Sequence, residues 1–267
     1  MLYLALPGLT LLNNANHGTD AKVFIVGLIK MINILKNFSR MDFLKEQKLP
    51  KHLAISTRSL SEYKKQDENL NDLALKKVSE FIAIQTKLNI PIFTLMFENK
   101  TDLDLKFIDS LITSLQTDES IPANKIKVMV IGKWFDLPIK ITENIKKLME
   151  ETKDYDNFFL NILVNYDGKD EIISAIKLLT LKAVNKQIDP EKINASMIKE
   201  SLYTSYFVPP EIIIECAYNY SGMLLWDLPG AKIYLTGSKH WLDLDRKEFE
   251  EALGSFKKST VSEKKKD

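Results

Sequence analysis

The chain has 267 residues, and its 37 Lys+Arg against 36 Asp+Glu give a formal net charge of +1, which excludes a strongly basic protein that coats nucleic acid. Only Arg40, Arg58 and Arg246 are arginines, so 37 − 3 leaves 34 lysines, and a site built from several guanidinium groups is excluded as well. A hydrophobic content of 45% suffices for a core, and the single cysteine, Cys216, excludes internal disulfides and indicates a reducing compartment. We therefore expect a cytoplasmic protein in which Cys216 is an inert, buried thiol.

The first part of the chain, residues 1–45, is predicted to be an apolar segment separate from the main domain. No cleavable signal peptide is predicted, because Leu2–Leu12 lacks a basic region before it. The pattern of Lys22–Phe38 predicts a helix, but its longest apolar run, Val23–Ile29, is far shorter than the ~20 residues that span a bilayer. This helix docks on its own domain, on a partner, or on a membrane surface.

From Pro50 onward, short apolar runs alternate with longer amphipathic ones. The predicted strands are His52–Ser56, Pro91–Phe97, Ile126–Ile131, Phe158–Asn165, Ile212–Cys216 and Ala231–Thr236. The predicted helices are Asp67–Lys87, Asp104–Leu115, Pro138–Glu151, Asp170–Ala183, one beginning at Asp189-Pro190, and Asp245–Lys257. This alternation predicts an α/β fold with a mostly parallel central sheet of about six strands and helices on both faces. We expect one domain over residues 46–258 and a charged, disordered tail over 259–267.

A search for general motifs returns little. The nine glycines form no GxGxxG, GxxxxGK[ST] or GxSxG motif, so dinucleotide-binding, P-loop and serine-hydrolase functions are excluded. The acids Asp154, Asp156, Asp167, Asp170 and Glu171 could be placed around Mg²⁺, but solvated surfaces and helix caps explain such residues as well. Asp167-Gly168 is typical of a turn. The residues alone indicate an α/β domain without a specified activity.

Several segments carry longer motifs in a fixed order. They are PKHLAI at 50–55, KVMVIG at 127–132, LNILVNYDGKDEI at 160–172, LLW at 224–226 followed by AKIYLT at 231–236, and WLDLDRKEFEEALGSF at 241–256. These segments resemble the PKHVAI, VRxRxIG, LNIAxNYGGRxEI, FLLWQxAYAELYFT and WPDFxxxxFxxAL motifs of the cis-prenyltransferases, the undecaprenyl and dehydrodolichyl diphosphate synthases. The resemblance covers nearly the whole chain after residue 45.

The resemblance implies a substrate class and a set of requirements. The family condenses isopentenyl diphosphate onto an allylic diphosphate. Two diphosphates require arginines and backbone N–H groups, Mg²⁺ between them requires a carboxylate, and the growing chain requires an apolar tunnel. Mg²⁺ is the implied cofactor if the chain is active.

The loop after the first strand departs from the family pattern MDGNGRWA. By its spacing from His52, Arg58 stands at the family's aspartate position, Glu62 at its arginine position and Tyr63 at its tryptophan position. The family's aspartate at this position carries a negative charge that steers Mg²⁺ and diphosphate, whereas Arg58 carries a positive charge and so reverses the sign of the local electrostatic potential. No confident catalytic residue is therefore predicted in this loop.

The later motif departs in the same direction. Glu215 and Asn219 align with the two arginines of IRTSGExRLSxFLLW, whereas Ser221 matches its serine. Lys232 stands at the metal-associated glutamate of AYAELYF, so no metal ligand is predicted there. A carboxylate at a position that grips phosphate repels the substrate.

Some positions keep residue types that could still contact a substrate or a partner. The resemblance implies Tyr63, Glu98, Asn99 and Ser221 as candidate substrate-binding residues, with Glu98-Asn99 matching the family's FSxEN element. Trp226, Tyr234 and Trp241 are candidate core or subunit-interface anchors. Each of these residues also has a purely structural explanation.

Three functions are consistent with this sequence. The first is a catalytically impaired subunit that forms a homodimer or a heterodimer with an active cis-prenyltransferase homologue in polyprenyl or dolichyl diphosphate synthesis. The second is a diverged, active prenyltransferase that binds diphosphate through lysines such as Lys64, Lys65, Lys100 or Lys169. The third is a non-catalytic isoprenoid-binding protein that kept the apolar tunnel. No nucleic-acid partner is expected for any of the three.

Overall fold

The computed structural model of the protein describes residues 49–65 and 69–263. The segment 1–45 with its predicted helix at Lys22–Phe38, and residues 264–267 of the tail, lie outside the described residues. Within the described part, no helix is long and apolar enough to cross a membrane.

The centre of the fold is one six-stranded sheet. Its strands are β1 His52–Ser56, β2 Ile92–Phe97, β3 Ile126–Ile131, β4 Phe158–Val164, β5 Ile212–Glu215 and β6 Lys232–Leu235. They lie in the order β3-β4-β2-β1-β5-β6, and every neighbouring pair is parallel. The predicted α/β fold is confirmed, and the sheet is entirely rather than mostly parallel.

Seven α-helices are described. They are α1 Leu70–Leu88, α2 Asp102–Thr117, α3 Ser120–Ala123, α4 Ile139–Glu151, α5 Gly168–Val184, α6 Ala195–Glu200 and α7 Arg246–Glu263. The short helices α3 and α6 were not predicted, because four to six residues show too little periodicity. The helix expected at Asp189-Pro190 is only a 3-10 turn, Pro190–Lys192, and α6 begins after a separate cap at Asn194.

The C-terminal helix corrects one expectation about the tail. Helix α7 continues to Glu263, so residues 259–263 are helical rather than disordered. Once a helix has formed, each further residue adds one backbone hydrogen bond, so residues 259–263, which are mostly polar, can extend it. The sequence pattern had placed its end at Lys257 because the apolar periodicity stops near there.

Helices cover both faces of the sheet. Helices α1, α2 and α4 pack in sequence on one face, where α7 also contacts β5 and β6, while α5 and α6 contact each other on the opposite face. The first face has an aromatic core made of rings in mutual contact: Phe81, Phe93, Phe97, Phe107, Trp241 and Phe249. The α5 face has an aliphatic core around Ala54, Leu163, Ile213 and Leu224. The aromatic core on one face and the aliphatic core on the other therefore hold the strands, and with them their carboxyl ends, in position.

Candidate functional site at the carboxyl ends of the strands

The strand order places a crevice beside β1. The chain leaves β1 toward β2 on one side and leaves β5 toward β6 on the other. Since such crossovers are right-handed, the following segments go to opposite faces and the loops after β1 and β5 diverge. A cleft of about 410 Å³ opens here, lined by Arg58, Glu62, Tyr63, Lys64, Lys65, Ala217, Tyr218, Ser238, Lys239, His240 and Asp243. The predicted site residues Arg58 and Tyr63 thus lie where ligands bind in open α/β sheets.

Acidic residues of this chain neutralise the cations beside the cleft. Arg58 donates from Nε and Nη2 to one carboxylate oxygen of Glu62, at 2.9 and 2.7 Å. Lys100 lies 2.8 Å from the Glu98 carboxylate and 3.7 Å from that of Glu62. The hydrogen bond from Arg58 lowers the pKa of Glu62, and the hydrogen bond to Glu98 raises the pKa of Lys100. Arg58, Glu62, Lys100 and Glu98 form a chain of alternating charge, which we call the charge quartet.

The backbone of the loop after β1 is occupied by two carboxylates. The Ser59 N–H donates to Glu98 Oε2 at 2.9 Å. Asp104 accepts from the Ser59 hydroxyl at 2.6 Å and from the Leu60 N–H at 2.8 Å, and it is almost fully buried. Asp104 also belongs to a capping box with Thr101 at the start of α2. One residue therefore holds both the loop and the helix, and the loop amides have internal anionic partners.

The same loop is tied from its other side by the segment that precedes α7. The Trp241 indole N–H donates to the Arg58 carbonyl at 3.0 Å. His240 lies with Nε2 3.1 Å from the Ser59 carbonyl, while its Nδ1 accepts from the Leu242 N–H, which places the ring proton on Nε2. Burial lowers the pKa of His240, so this neutral form is favoured. The Tyr63 hydroxyl donates to Asp243 at 3.1 Å.

The loop after β5 is built around a buried glutamate. Glu215 is fully buried, and its Oε1 accepts from the Ser221 N–H at 3.2 Å and from the Ser221 hydroxyl at 2.9 Å. The Ser56 hydroxyl donates to Ser221 Oγ at 3.1 Å. Within the described part of the chain, Glu215 Oε2 is buried without a hydrogen-bond partner, and burial raises the pKa of the carboxyl. The hydroxyl of Ser221, a predicted substrate contact, is used to hold this loop.

The segment that resembles the NYGG motif has a structural role. Asn99 donates to Asn165 Oδ1 at 2.9 Å and so connects the ends of β2 and β4. The Tyr166 hydroxyl donates to Glu171 at 2.6 Å, and Glu171 also accepts from the Thr204 N–H and hydroxyl. The predicted turn at Asp167 is confirmed, because its side chain accepts from two backbone N–H groups and begins α5. These contacts join α5 to the segment before β5.

Three predicted positions do not join the cleft. Lys232 pairs in register with Ile212, and Ile212 with Leu53, so Lys232 lies level with the start of β1, about 10 Å before its carboxyl end along the strand. Arg58 follows that end, so the two residues at the family's acidic positions do not meet within one chain. The Tyr234 hydroxyl donates to Glu251 of α7 at 2.5 Å, on the face opposite α5. Trp226 is partly buried in a 3-10 turn that contacts α5.

The side chains at the cleft do not fit a magnesium ion. Mg²⁺ binds carboxylate oxygens that are free to coordinate it. Glu62, Glu98 and Asp104 already accept hydrogen bonds from cations or backbone amides. Among the described residues, no group of three His, Cys, Asp or Glu side chains could hold a metal ion. The sequence motifs predict Glu98 but not Asp104 or His240, because the contacts of these two residues with the loop span more than 40 residues of sequence.

Comparison with known proteins identifies the family. A family model described as "Putative undecaprenyl diphosphate synthase" matches residues 60–262, which is more than half of the chain. The chain belongs to the cis-prenyltransferase family. This confirms the resemblance that the motifs carry.

Similar proteins include undecaprenyl diphosphate synthases from two organisms. The tritrans,polycis-undecaprenyl-diphosphate synthase (geranylgeranyl-diphosphate specific) of Thermoplasma volcanium is 28% identical over 233 residues, covering 82% of this chain and 90% of that protein. The protein of the same description from Methanocaldococcus jannaschii is 28% identical over 244 residues, covering 84% and 87%. The crystal structure of lavandulyl diphosphate synthase from Lavandula x intermedia has a TM-score of 0.67 at 20% identity, covering 78% of this chain and 95% of that one. The last comparison concerns the fold alone.

Proposed function

We propose that this cis-prenyltransferase family member is a catalytically impaired subunit that pairs with an active homologue in polyprenyl diphosphate synthesis. The observation that carries the proposal is the charge quartet together with the occupied loop amides. A diphosphate requires cations and N–H donors that are free to bind it. Here Arg58 and Lys100 are engaged by Glu62 and Glu98, and the Ser59 and Leu60 amides by Glu98 and Asp104.

The buried Glu215 adds to this argument. It stands where the family has an arginine, and its side chain cannot reach a ligand without breaking its bonds to Ser221. Desolvation favours the neutral acid, and a neutral acid gives no attraction to a diphosphate. We infer that neither the charge quartet nor Glu215 presents a free phosphate-binding cation in place of the missing arginines.

Two other functions remain as competing proposals. Lys64 and Lys65 line the cleft and would have to bind diphosphate in a diverged, active enzyme, but Lys65 is already 2.6 Å from Asp243. An isoprenoid-binding protein needs an apolar space, whereas Phe81, Phe93 and Trp241 on the α1 face are fully buried among other rings. Such dense packing favours a solid core over a lipid tunnel between these elements.

Elongation by the isolated chain tests the proposal. The purified protein is incubated with Mg²⁺, radiolabelled isopentenyl diphosphate and either farnesyl or geranylgeranyl diphosphate, and polyprenyl products are extracted and counted. We expect incorporation equal to the no-protein control, with an active family member as the positive control. Incorporation that grows with the amount of this chain would refute the impaired-subunit proposal and support the diverged enzyme.

Association with a homologue, and membrane docking through residues 22–38, are separate parts of the proposal. Co-purification with an active cis-prenyltransferase of the same cell, at a fixed stoichiometry, supports the subunit role. Co-purification of lipid without any homologue supports the isoprenoid-binding function instead. A peripheral membrane location is tested by fractionating cells that express the chain with and without residues 22–38.

A further inference from the structure

Strand β3 forms one edge of the sheet. It pairs with β4 on one side, and no other described strand lies beyond it. Its sequence, Ile-Lys-Val-Met-Val-Ile, contains one charged residue, Lys127, and neither proline nor glycine. Unpaired N–H and C=O groups on an edge strand are a template for another strand, and short segments of high β-propensity and low charge pair readily. The sequence of β3 by itself therefore does little to prevent edge-to-edge pairing.

Two side chains of helix α4 bond to this edge. The Val128 N–H donates to the Thr152 hydroxyl oxygen at 3.1 Å, and the Val130 N–H donates to the Met149 sulfur at 3.4 Å. Since these N–H groups bond to α4, they point away from β4. We call Met149 and Thr152 the edge clasp. The outward N–H groups in the middle of β3 are therefore already bonded within the chain.

The threonine of the clasp is not explained by the helix that carries it. Thr152 follows the last residue of α4, and its backbone φ of −107° is open to any residue. Its side chain is buried, and its hydroxyl donates to the Leu148 carbonyl at 2.9 Å while it accepts from Val128. The end of the helix alone does not require a hydroxyl, whereas the outward N–H of β3 does.

We propose that the edge clasp closes β3 to strand pairing, and that a chain without the clasp pairs through β3 with a second copy of itself. The same edge of each copy would be used, so the two β3 strands would meet antiparallel across a two-fold axis. Val128 and Val130 would then form backbone hydrogen bonds to the second copy in place of those to α4. Isoprenoid elongation has no bearing on this edge, so the clasp can be tested apart from the proposed function.

Removal of both acceptors opens the edge. The full-length variant Met149→Leu/Thr152→Val nearly keeps the volume of the two side chains but accepts neither hydrogen bond. In sedimentation velocity we expect a species of at least about twice the wild-type mass, in an amount that rises with protein concentration. Hydrogen exchange of a peptide that covers β3, measured by mass spectrometry at a concentration where the variant is unpaired, should be at least about tenfold faster than in the wild type.

Two control variants keep the result specific. Thr142→Val/Met197→Leu makes the same chemical changes at a buried threonine whose hydroxyl donates to Ile139 within α4 and at a methionine of α6, so it should keep the wild-type mass. Adding Val130→Pro to the clasp variant removes an outward N–H and should restore the wild-type mass. Because the proline does not restore the clasp, this result separates pairing through β3 from a general loss of stability. Circular dichroism verifies that each variant is folded.

Three results would overturn the inference. One is a folded clasp variant that keeps the wild-type mass at every concentration. Another is association that persists after Val130→Pro is added, which would place the contact on a different surface. If the clasp variant does not fold, exchange in the wild type decides: we expect the amides of β3 to exchange as slowly as those of the interior strand β4. Exchange at β3 that is at least about tenfold faster than at β4 would show that the edge is open, which is the third contrary result.

Discussion

Histidine 52 should make the stability of the protein depend on pH in a way that a single substitution removes. Its side chain is fully buried in β1, where Nδ1 donates to the Val208 carbonyl and Nε2 accepts from the Thr94 hydroxyl, both at 2.7 Å. The Asn161 amide donates to the same hydroxyl at 3.1 Å, and the Phe207 ring packs edge-on at 5.2 Å. Because Nε2 accepts a hydrogen bond, it has no room for a proton, and the site does not accommodate the doubly protonated, charged form of the His52 ring.

The size of the effect follows from the pKa. Burial lowers the pKa of His52 from 6.5 to about 4, so the unfolded chain binds the proton more tightly than the folded one. Stability is therefore complete above pH 6.5, falls as the pH drops below that value, and stops falling near pH 4. At 1.36 kcal/mol per pH unit, the loss at pH 5 is about 2 kcal/mol, and the full loss is about 3 kcal/mol.

Urea unfolding at pH 7 and pH 5 measures this loss. His52→Asn keeps an amide donor near Nδ1 but cannot be protonated, so it should be less stable than the wild type at pH 7 yet lose about 2 kcal/mol less on going to pH 5. Other titrating groups are common to both proteins and cancel in this difference. Equal losses in the two proteins, or an NMR titration of the His52 ring with a midpoint near 6.5, would refute the reasoning.

Three further substitutions test the cleft. Glu62→Gln should free Arg58 and give measurable inorganic pyrophosphate binding by calorimetry, with Glu80→Gln as the control; equally weak binding in both variants would show that Glu62 does not block the cation. Asp104→Ala should lower the free energy of unfolding by about 2–4 kcal/mol, because it removes the acidic member of a helix capping box and the acceptor for the Ser59 hydroxyl, and it leaves the buried Leu60 amide unpaired. A loss below about 0.5 kcal/mol would contradict that role. Glu215→Gln should become more stable relative to the wild type as the pH rises from 5 to 8, as measured by thermal unfolding. The reason is that the raised pKa of Glu215 makes the folded wild type hold a proton that the unfolded chain releases above about pH 4.5. A stability difference between the two proteins that does not change with pH would mean that the pKa of Glu215 is not raised by folding.

The strands could be predicted from the sequence to within one residue at each end. Phe158–Val164 is almost entirely buried and is apolar except for Asn161, whereas the edge strand Ile126–Ile131 is partly buried and apolar except for Lys127. Both runs end at polar or turn residues. The sequence pattern predicts the start of α2 at Asp104, whereas the helix begins at Asp102 and Asp104 is the acidic member of its capping box.

The site was only partly predictable. Motif alignment found Arg58, Glu62 and Glu98, and the structure brings these three together. The alignment could not show that Glu98 and Asp104 bind the amides of residues 59 and 60, because these contacts depend on how the loops after β1 and β2 meet. The separation of Lys232 from Arg58 likewise follows from strand register, which no local pattern encodes.

Direct binding of a substrate diphosphate tests the central claim that this chain has lost its diphosphate site. The full-length protein is titrated with isopentenyl diphosphate in the presence of Mg²⁺ by isothermal titration calorimetry, beside an active family member. We predict saturable binding by the active enzyme and none by this chain up to about 1 mM ligand. A dissociation constant of about 1 mM corresponds to a binding free energy of only about −4 kcal/mol. Saturable binding by the isolated chain in the micromolar range would contradict it.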